Sequence, residues 1–305
     1  MDSETLRFFL RVSELGSFGR AAQVLNISQP TLSRRIALLE REVRAQVFVR
    51  HQRGVSLTPS GLALERRAAS LMQQLQHLHE DVGVSSREPS GLLALGLPPS
   101  LVTVVSGPLI EAYKRSCPRV ELFIFEGITD ELEEKLANRV LDIALMLPIR
   151  SKLHNVTVRP LATEQMVCVQ GSPRFRGKSW LTVAELSDVP LILYRLPNYI
   201  RWLVELAFQR RDLRPNVVAE VNSLPMLLEL SRQNVGLAIL PTSAAAHDIR
   251  SGALHANPVR GMPVKWTLAV ARERQGSLAV QALLSCLEEI VKRQIRSGKW
   301  NATLA

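Results

Sequence analysis

The chain has 305 residues, of which 46% are hydrophobic and 22% charged, and its formal net charge is +10 at pH 7. This composition excludes a largely disordered chain, and the length allows two or three domains. The excess of positive charge favours a polyanionic partner such as nucleic acid, without identifying one.

The N-terminal residues are acidic and polar, so they lack the basic and apolar parts of a signal peptide. No apolar run approaches the roughly 18 residues that a bilayer span requires. We therefore expect a cytoplasmic protein with no membrane partner. Its three cysteines, Cys117, Cys168 and Cys286, form no CxxC pair, which favours reduced thiols over disulfides or a zinc site.

Helical spacing of apolar residues predicts a first helix over residues 3–15 and a second over residues 18–25. Ser17 is the expected N-cap of the second helix. Ser28 is the expected N-cap of a third helix, with Pro30 in its first turn, where a missing N–H costs nothing.

The third helix carries the strongest functional signal in this region. Leu32, Ile36 and Leu39 lie at helical spacing and define its buried stripe. Its outward N-terminal face carries Gln29, Pro30, Thr31, Ser33 and Arg34. Such side chains can read base edges in a major groove, whereas in an isolated helix a merely solvated face would be the better interpretation. A preceding helix and a tight turn favour the DNA-binding interpretation.

Two short β-type segments, 47–50 and 55–57, follow this helix and predict a hairpin. Arg53 lies at its tip, where it could contact a phosphate or a narrow minor groove. The alternative for Arg53 is an exposed loop cation.

The next helix begins near residue 58 and contains an alternating four-and-three repeat. Its members are Leu64, Ala68, Leu71, Leu75, Leu78 and Val82. This seam predicts packing against another helix, most simply in a dimer through Leu64, Leu71, Leu75 and Leu78. An amphipathic helix packed within its own chain is the alternative.

After a linker near residues 84–91, strands and helices alternate. The predicted strands are 92–97, 120–125, 141–147, 166–169, 191–194, 217–221, 235–240 and 266–271; the helices are 101–114, 129–138, 199–209, 225–233 and 280–296. This order predicts a mostly parallel sheet covered by helices. Two such units in tandem predict two lobes with a cleft between them.

Many of these residues together resemble the signature of LysR-type transcriptional regulators. The N-terminal matches are Gly16-Ser17-Phe18, Ala21-Ala22, Leu25, Ser28-Gln29-Pro30, Leu32-Ser33-Arg34, Ile36, Leu39-Glu40, Phe48, Arg50, Arg53-Gly54, Leu57-Thr58 and Gly61. The C-terminal matches are Pro108-Leu109, Pro118-Arg119-Val120, Glu126-Gly127, Leu141-Asp142-Ile143-Ala144 and Gly236-Leu237-Ala238-Ile239-Leu240-Pro241. The resemblance therefore covers nearly the whole chain.

The resemblance implies an N-terminal all-α winged helix-turn-helix (1–58), a linker and dimerisation helix (59–88) and an α/β effector domain (89–305). That last domain would be two-lobed, like type 2 periplasmic binding proteins, with lobe I at 91–160 and 268–297 and lobe II at 161–267. The implied partners are double-stranded promoter DNA, a small-molecule effector, further copies of the chain in dimers of dimers, and RNA polymerase. Gln29, Pro30, Ser33 and Arg34 would contact the major groove, and Arg53 the minor groove or backbone.

Two positions depart from the family pattern. Arg44 stands where the family usually has glycine, and a left-handed backbone there would cost about 1–2 kcal/mol. Asn138-Arg139 precedes the 141–147 strand in place of another usual glycine, and we expect Asn138 to tolerate the left-handed conformation.

Four polar residues are expected around the effector. By resemblance, Ser100 and Thr129 of lobe I would meet Tyr199 and Asn222 of lobe II around a small carboxylate, which helix N-termini favour. The alternative is that all four merely cap helices.

The sequence contains no HExxH, G-x-S-x-G, Walker or dinucleotide-binding motif of an enzyme. We therefore expect no catalytic activity, no metal and no cofactor. Two rivals remain within DNA binding: a redox-sensing regulator using Cys117 or Cys168, and an architectural protein without an effector. Cys168, flanked by valines, is better interpreted as a buried small hydrophobe.

Overall fold

The computed structural model describes residues 1–52, 54–82, 88–148 and 154–305, without the side chains of residues 73 and 76–82. These residues form two compact units. Unit 1 comprises Met1–Arg87 with Asn138–Val140, and unit 2 comprises Glu88–Ala137 with Leu141–Ala305.

Unit 1 is helical, with one hairpin. Its elements are α1 (Ser3–Leu15), α2 (Phe18–Val24), α3 (Gln29–Val43), β1 (Phe48–His51), β2 (Gly54–Leu57) and α4 (Pro59–Val82). Both predicted N-caps are confirmed, since the Ser17 side chain accepts from the Arg20 N–H and the Ser28 side chain from the Thr31 N–H. The core joins Phe9 of α1, the α3 stripe and Ala68 of α4.

Backbone contacts hold the hairpin in unit 1. The Glu40 side chain accepts from the Val47 N–H at 2.8 Å, which ties β1 to α3. The Val55 N–H donates to the Gly16 carbonyl oxygen at 3.0 Å. Gly61 is required by a close approach, because a Cβ there would overlap the Val47 carbonyl oxygen.

Unit 2 is an α/β structure. Its strands are β3 (Gly91–Leu97), β4 (Val120–Glu126), β5 (Ile143–Met146), β6 (Val156–Gln170), β7 (Leu191–Tyr194), β8 (Val217–Val221), β9 (Leu237–Pro241), β10 (His255–Ala271) and β11 (Ala302–Leu304). Its helices are α5 (Pro99–Leu101), α6 (Gly107–Ser116), α7 (Thr129–Ala137), α8 (Val183–Ser187), α9 (Tyr199–Gln209), α10 (Leu224–Arg232), α11 (Ala246–Ser251) and α12 (Leu278–Arg296). A π-helical segment, Val102–Ser106, joins α5 to α6.

Within the described residues of unit 2, the strands form one nine-stranded sheet in the order β4-β3-β5-β10-β6-β9-β7-β8, with β11 beside β6. The pairs within β3–β5 and within β7–β9 are parallel, whereas every pair that involves β6 or β10 is antiparallel. The expectation of a mostly parallel sheet was therefore wrong, and the sheet is mixed. We call the part built on β3–β5 lobe I and the part built on β7–β9 lobe II.

Two strands are much longer than predicted. The predicted 166–169 strand is the end of β6, and the 266–271 strand is the end of β10. Prolines kept the full length of both strands from being predicted, because proline in a strand is confined to edges and bulges. Pro258 and Pro263 flank a shift in the β6–β10 register, and a second shift lies between Trp266 and Thr267. The expected lobe boundaries, 160/161 and 267/268, lie at this second shift, and as domain boundaries they stay a prediction.

Several other expectations need correction. The left-handed residue before Leu141 is Arg139, with φ 60°, and not Asn138. The short elements α8, α11 and β11 were not predicted, because each offers too few residues for a periodic pattern.

Candidate functional site

The outer face of α3 is the candidate nucleic-acid interface. Leu32, Ile36 and Leu39 are buried, which confirms the predicted stripe. On the opposite side Gln29, Pro30, Thr31 and Arg34 are exposed and Ser33 is half-buried. The five predicted DNA-contacting residues of α3 therefore lie in its first two turns, with four of them open to solvent.

Some polar side chains of α3 are engaged within the chain, whereas others are open to a binding partner. The Thr31 hydroxyl lies 2.7 Å from the Ser28 hydroxyl, within a local pair at the helix start. Arg35 turns back to Asp2 and Glu4, at 3.4 and 3.3 Å. Arg34 makes no ion pair among the described residues, so its guanidinium is available to a partner.

The predicted wing is the β1–β2 hairpin, which pairs Phe48 with Leu57 and His51 with Gly54. The guanidinium of Arg50 lies over the Phe18 ring, 4.9 Å from its centroid. Arg53, the predicted tip contact, lies outside the described residues.

The seam of α4 divides into two parts. Ala68 is fully buried and Leu64 packs against the core of unit 1, so this first part follows the intramolecular alternative. Leu71 is 44% exposed and Leu75 37% exposed, and that these two residues face a second copy stays a prediction. The side chain of Leu78 lies outside the described part of α4.

A cleft between the two lobes of unit 2 is the candidate effector site. Its cavity of about 340 Å³ is lined by all four of the predicted residues, Ser100, Thr129, Tyr199 and Asn222. Ser100 and Thr129 belong to lobe I, and Tyr199 and Asn222 belong to lobe II. The fold thus brings together residues that are up to 122 positions apart in the sequence.

The capping alternative is not supported for Tyr199 and Asn222. The caps of α9 and α10 are their neighbours Asn198 and Ser223, whose side chains accept from the helix N–H groups. Ser100 is 8% exposed and Thr129 is 5% exposed. Neither hydroxyl has a hydrogen-bond partner in the described ranges, and because both residues line the cavity, a ligand or water there can supply one.

The cleft also contains residues that the sequence analysis did not identify. Leu147, Tyr194 and Trp266 add an apolar surface, and Glu126 and Asp130 add two carboxylates. Glu126 is the last residue of β4, and ligands of α/β proteins bind at the carboxyl ends of strands. This position in the sequence could have identified Glu126 as a cleft residue.

Trp266 is held from behind by Glu164. The indole N–H of Trp266 donates to the Glu164 carboxylate, which also accepts from the backbone N–H and the hydroxyl of Ser243, at 2.7 and 2.8 Å. Burial raises the pKa of Glu164, while these donors act in the opposite direction. The contacts fix the orientation of Trp266 in the cleft.

The cysteines do not support the redox alternative. Cys117 and Cys168 are buried, and burial raises the pKa of the Cys168 thiol to about 12. A redox-sensing cysteine needs a thiol that is both accessible and readily deprotonated, and the Cys168 thiol is neither. Cys286 is partly accessible, and burial raises its pKa as well.

The described residues offer neither a cluster of metal ligands nor a membrane-spanning helix. No group of three or more His, Cys, Asp or Glu side chains there is arranged to hold a metal ion. Among the described helices, none combines the length and apolar character of a membrane span.

Comparison with known families identifies both units. Residues 3–62 match the bacterial regulatory helix-turn-helix protein, lysR family, and residues 86–292 match the LysR substrate binding domain. The HTH-type transcriptional regulator BbuR of Bordetella bronchiseptica is 31% identical over 98% of this chain and 93% of its own. The nitrogen assimilation regulatory protein nac of Escherichia coli is 30% identical over 80% of each chain.

Solved structures share the fold. A cysteine-to-aspartate variant of full-length OxyR from Pseudomonas aeruginosa is similar with a TM-score of 0.70 at 24% identity, over 96% of this chain and 95% of its own. CbnR complexed with its target DNA is similar with a TM-score of 0.72 at 18% identity, over 95% of this chain and 100% of its own.

Proposed function

The chain belongs to the LysR family of bacterial helix-turn-helix regulators, and from that premise we propose that it reads operator DNA through α3 and the β1–β2 hairpin under the control of a small molecule in the interlobe cleft. It acts as a regulator and not as an enzyme. The observation that carries the DNA-binding role is the outer face of α3, where Gln29, Ser33 and Arg34 lie above a buried stripe. Bidentate contacts from Arg to guanine and from Gln to adenine suit this face to a major groove.

Support for the effector site comes from the cleft. Ser100, Thr129, Tyr199 and Asn222 line one cavity, and the hydroxyls of the two buried residues, Ser100 and Thr129, have no hydrogen-bond partner in the described residues. A ligand that reaches both lobes would favour one lobe arrangement over another, and the differential affinity would shift the DNA-binding equilibrium. An architectural protein would have no need for this cleft.

Assembly and setting form part of the same proposal. The exposed leucines Leu71 and Leu75 of α4 support a dimer, which would present two α3 helices to two half-sites. We extend the proposal to a dimer of dimers that contacts RNA polymerase in the cytoplasm, where chromosomal DNA is available.

The test of the function is a DNase footprint on the DNA upstream of the gene that encodes this chain, with and without candidate effectors. We expect protection of a defined segment and a change in its pattern with an effector. Uniform protection of all DNA, unchanged by any effector, would favour the architectural alternative.

Arg34→Ala tests base reading by α3. We expect a loss of about 1–3 kcal/mol on the specific site and a flatter sequence preference, because one bidentate base contact is removed. Fluorescence anisotropy with specific and scrambled duplexes measures both quantities. Arg35→Ala is the matched control, since Arg35 is engaged with Asp2 and Glu4. An equal loss on both duplexes would assign Arg34 to a phosphate.

A further inference from the structure

The two lobes contribute opposite electrostatic features to the cleft. Lobe I brings two carboxylates, Glu126 and Asp130, whereas the lining residues of lobe II include no acidic side chain. Among the described lining residues there is no Lys, Arg or His. A ligand bearing only a carboxylate would therefore meet two negative side chains and no cation from the described lining.

Glu126 is positioned to act on the cleft. It lies at the end of β4, and neither it nor Asp130 has an ion-pair partner within the described ranges. Burial raises the pKa of the Tyr194 hydroxyl, and the negative charge of Glu126 adds to this effect. Since Tyr194 belongs to lobe II, the Glu126 carboxylate is close enough to act across the cleft.

Lobe II presents two helix N-termini to the same cavity. The lining includes Tyr199, the first residue of α9, and Leu224, the first residue of α10. Both helices lack acidic residues in their first turns, unlike α7 of lobe I, which has Asp130 and Glu131 there. A helix N-terminus carries a partial positive charge that favours a carboxylate.

Between these ends part of the cavity wall is apolar and buried. Leu147 and Trp266 are buried and line it, and the hydroxyls of Ser100 and Thr129 supply hydrogen-bonding groups on the side of lobe I. The volume of about 340 Å³ falls in the range of small-ligand sites.

We propose that the effector is a small zwitterion with an apolar body, of the amino-acid class. Its ammonium group lies against Glu126 and Asp130 of lobe I, its carboxylate lies at the N-termini of α9 and α10 of lobe II, and its body covers Trp266. Because each lobe binds one of the two charged groups of the ligand, the ligand bridges the two lobes. The inference rests on the proposed function, since it takes this cleft as the effector site.

Calorimetric titration of the full-length protein with matched probes tests the inference. Each trio contains an amino acid, its analogue without the amine and its analogue without the carboxylate: phenylalanine with 3-phenylpropanoate and 2-phenylethylamine, leucine with 4-methylpentanoate and 3-methylbutylamine, and tryptophan with indole-3-propanoate and tryptamine. In at least one trio we expect the zwitterion to bind about tenfold or more tightly than either analogue, as a lost charge-assisted hydrogen bond implies. Equal binding of a carboxylate analogue, or no binding by any zwitterion, would overturn the inference.

The variant Glu126→Gln tests whether the Glu126 carboxylate binds the ammonium group of the ligand. We expect it to weaken the amino acid about tenfold and to leave the matching carboxylate unchanged, so that the preference for the amine is lost. Glu121→Gln, which makes the same change at an exposed position of the same strand outside the cavity lining, should keep the preference. Equal weakening of both probes, or no change in either, contradicts the assignment. Should Glu126→Gln fail to fold, as judged by circular dichroism, Asp130→Asn gives the same comparison.

The footprint separates this inference from the proposed function. A protein that protects its upstream DNA and responds to a carboxylate without an amine keeps its function and refutes the zwitterion. A protein that protects no specific DNA refutes the function, whatever binds in the cleft.

Discussion

Arg44 ends α3 in a left-handed conformation, with φ 55° and ψ 32°, at a position where the family usually has glycine. The Ala45 N–H donates to the Glu40 carbonyl oxygen at 3.1 Å, the long bond of a Schellman motif. This motif directs the chain from α3 into β1, whose Phe48 N–H donates to the Glu40 side chain. A side chain with a Cβ pays a conformational cost here that glycine does not.

Arg44→Gly should therefore raise the free energy of unfolding by about 1 kcal/mol, because it removes the left-handed strain and loses only an exposed side chain. Urea unfolding of the full-length chain followed by circular dichroism measures the change. Arg41→Gly is the control, because Arg41 lies in the regular last turn of α3. This variant should lower the free energy of unfolding by about 1 kcal/mol. A loss of stability in both variants would show that Arg44 makes contacts that outweigh its strain.

At the scale of elements, α4 carries one apolar seam that is buried in its first part and exposed in its second. Its N-terminal part packs into unit 1 through Leu64 and Ala68, and the Ser13 hydroxyl donates to Glu65 beside them. Farther along, Leu71 and Leu75 keep the same spacing but face outward. Because the spacing is continuous, the change from buried to exposed positions along the seam cannot be read from periodicity.

Leu71→Asp tests the outer part of the seam. We expect a shift from dimer to monomer, since a charge placed in an apolar helix interface must be desolvated without a partner. Sedimentation equilibrium measures the mass. Leu62→Asp is matched to it, because Leu62 is similarly exposed, at 49%, but lies on the opposite side of α4. An unchanged mass for Leu71→Asp would assign the dimer interface to other residues.

At the scale of the whole molecule, segments far apart in sequence meet at Glu164. This residue of β6 bonds Ser243, which follows β9, and Trp266 of β10, at sequence separations of 79 and 102 residues. The carboxylate accepts from all of these donors at once. The amide of glutamine cannot do the same, because its NH₂ group would face a donor.

Glu164→Gln should lower the free energy of unfolding of unit 2 by about 1–3 kcal/mol, the cost of an unsatisfied buried donor. Tryptophan fluorescence during urea unfolding reports this unit, since all four tryptophans (Trp180, Trp202, Trp266 and Trp300) belong to it. Glu134→Gln, the same substitution at an exposed position, should have little effect. Equal stability of the two variants would mean that the Glu164 contacts add nothing to the fold.

The amino-acid sequence by itself determined the elements whose signals are local. Ser17 and Ser28 cap their helices, and Leu32, Ile36 and Leu39 form the stripe of α3, because capping and helical periodicity act within a few residues. The four residues expected in the cleft came from the family resemblance. All four lie at or beside the ends of predicted helices and strands, and all four line the cavity.

Only the tertiary structure decided what depends on distant segments. The lengths of β6 and β10 follow from their pairing with each other, which local pattern cannot supply when Pro258 and Pro263 interrupt it. The division of the α4 seam depends on how far the core of unit 1 reaches. The charges of the cleft depend on the fold that brings Glu126 of lobe I close to Tyr194 of lobe II, because electrostatic interaction depends on distance in space and not on separation along the chain.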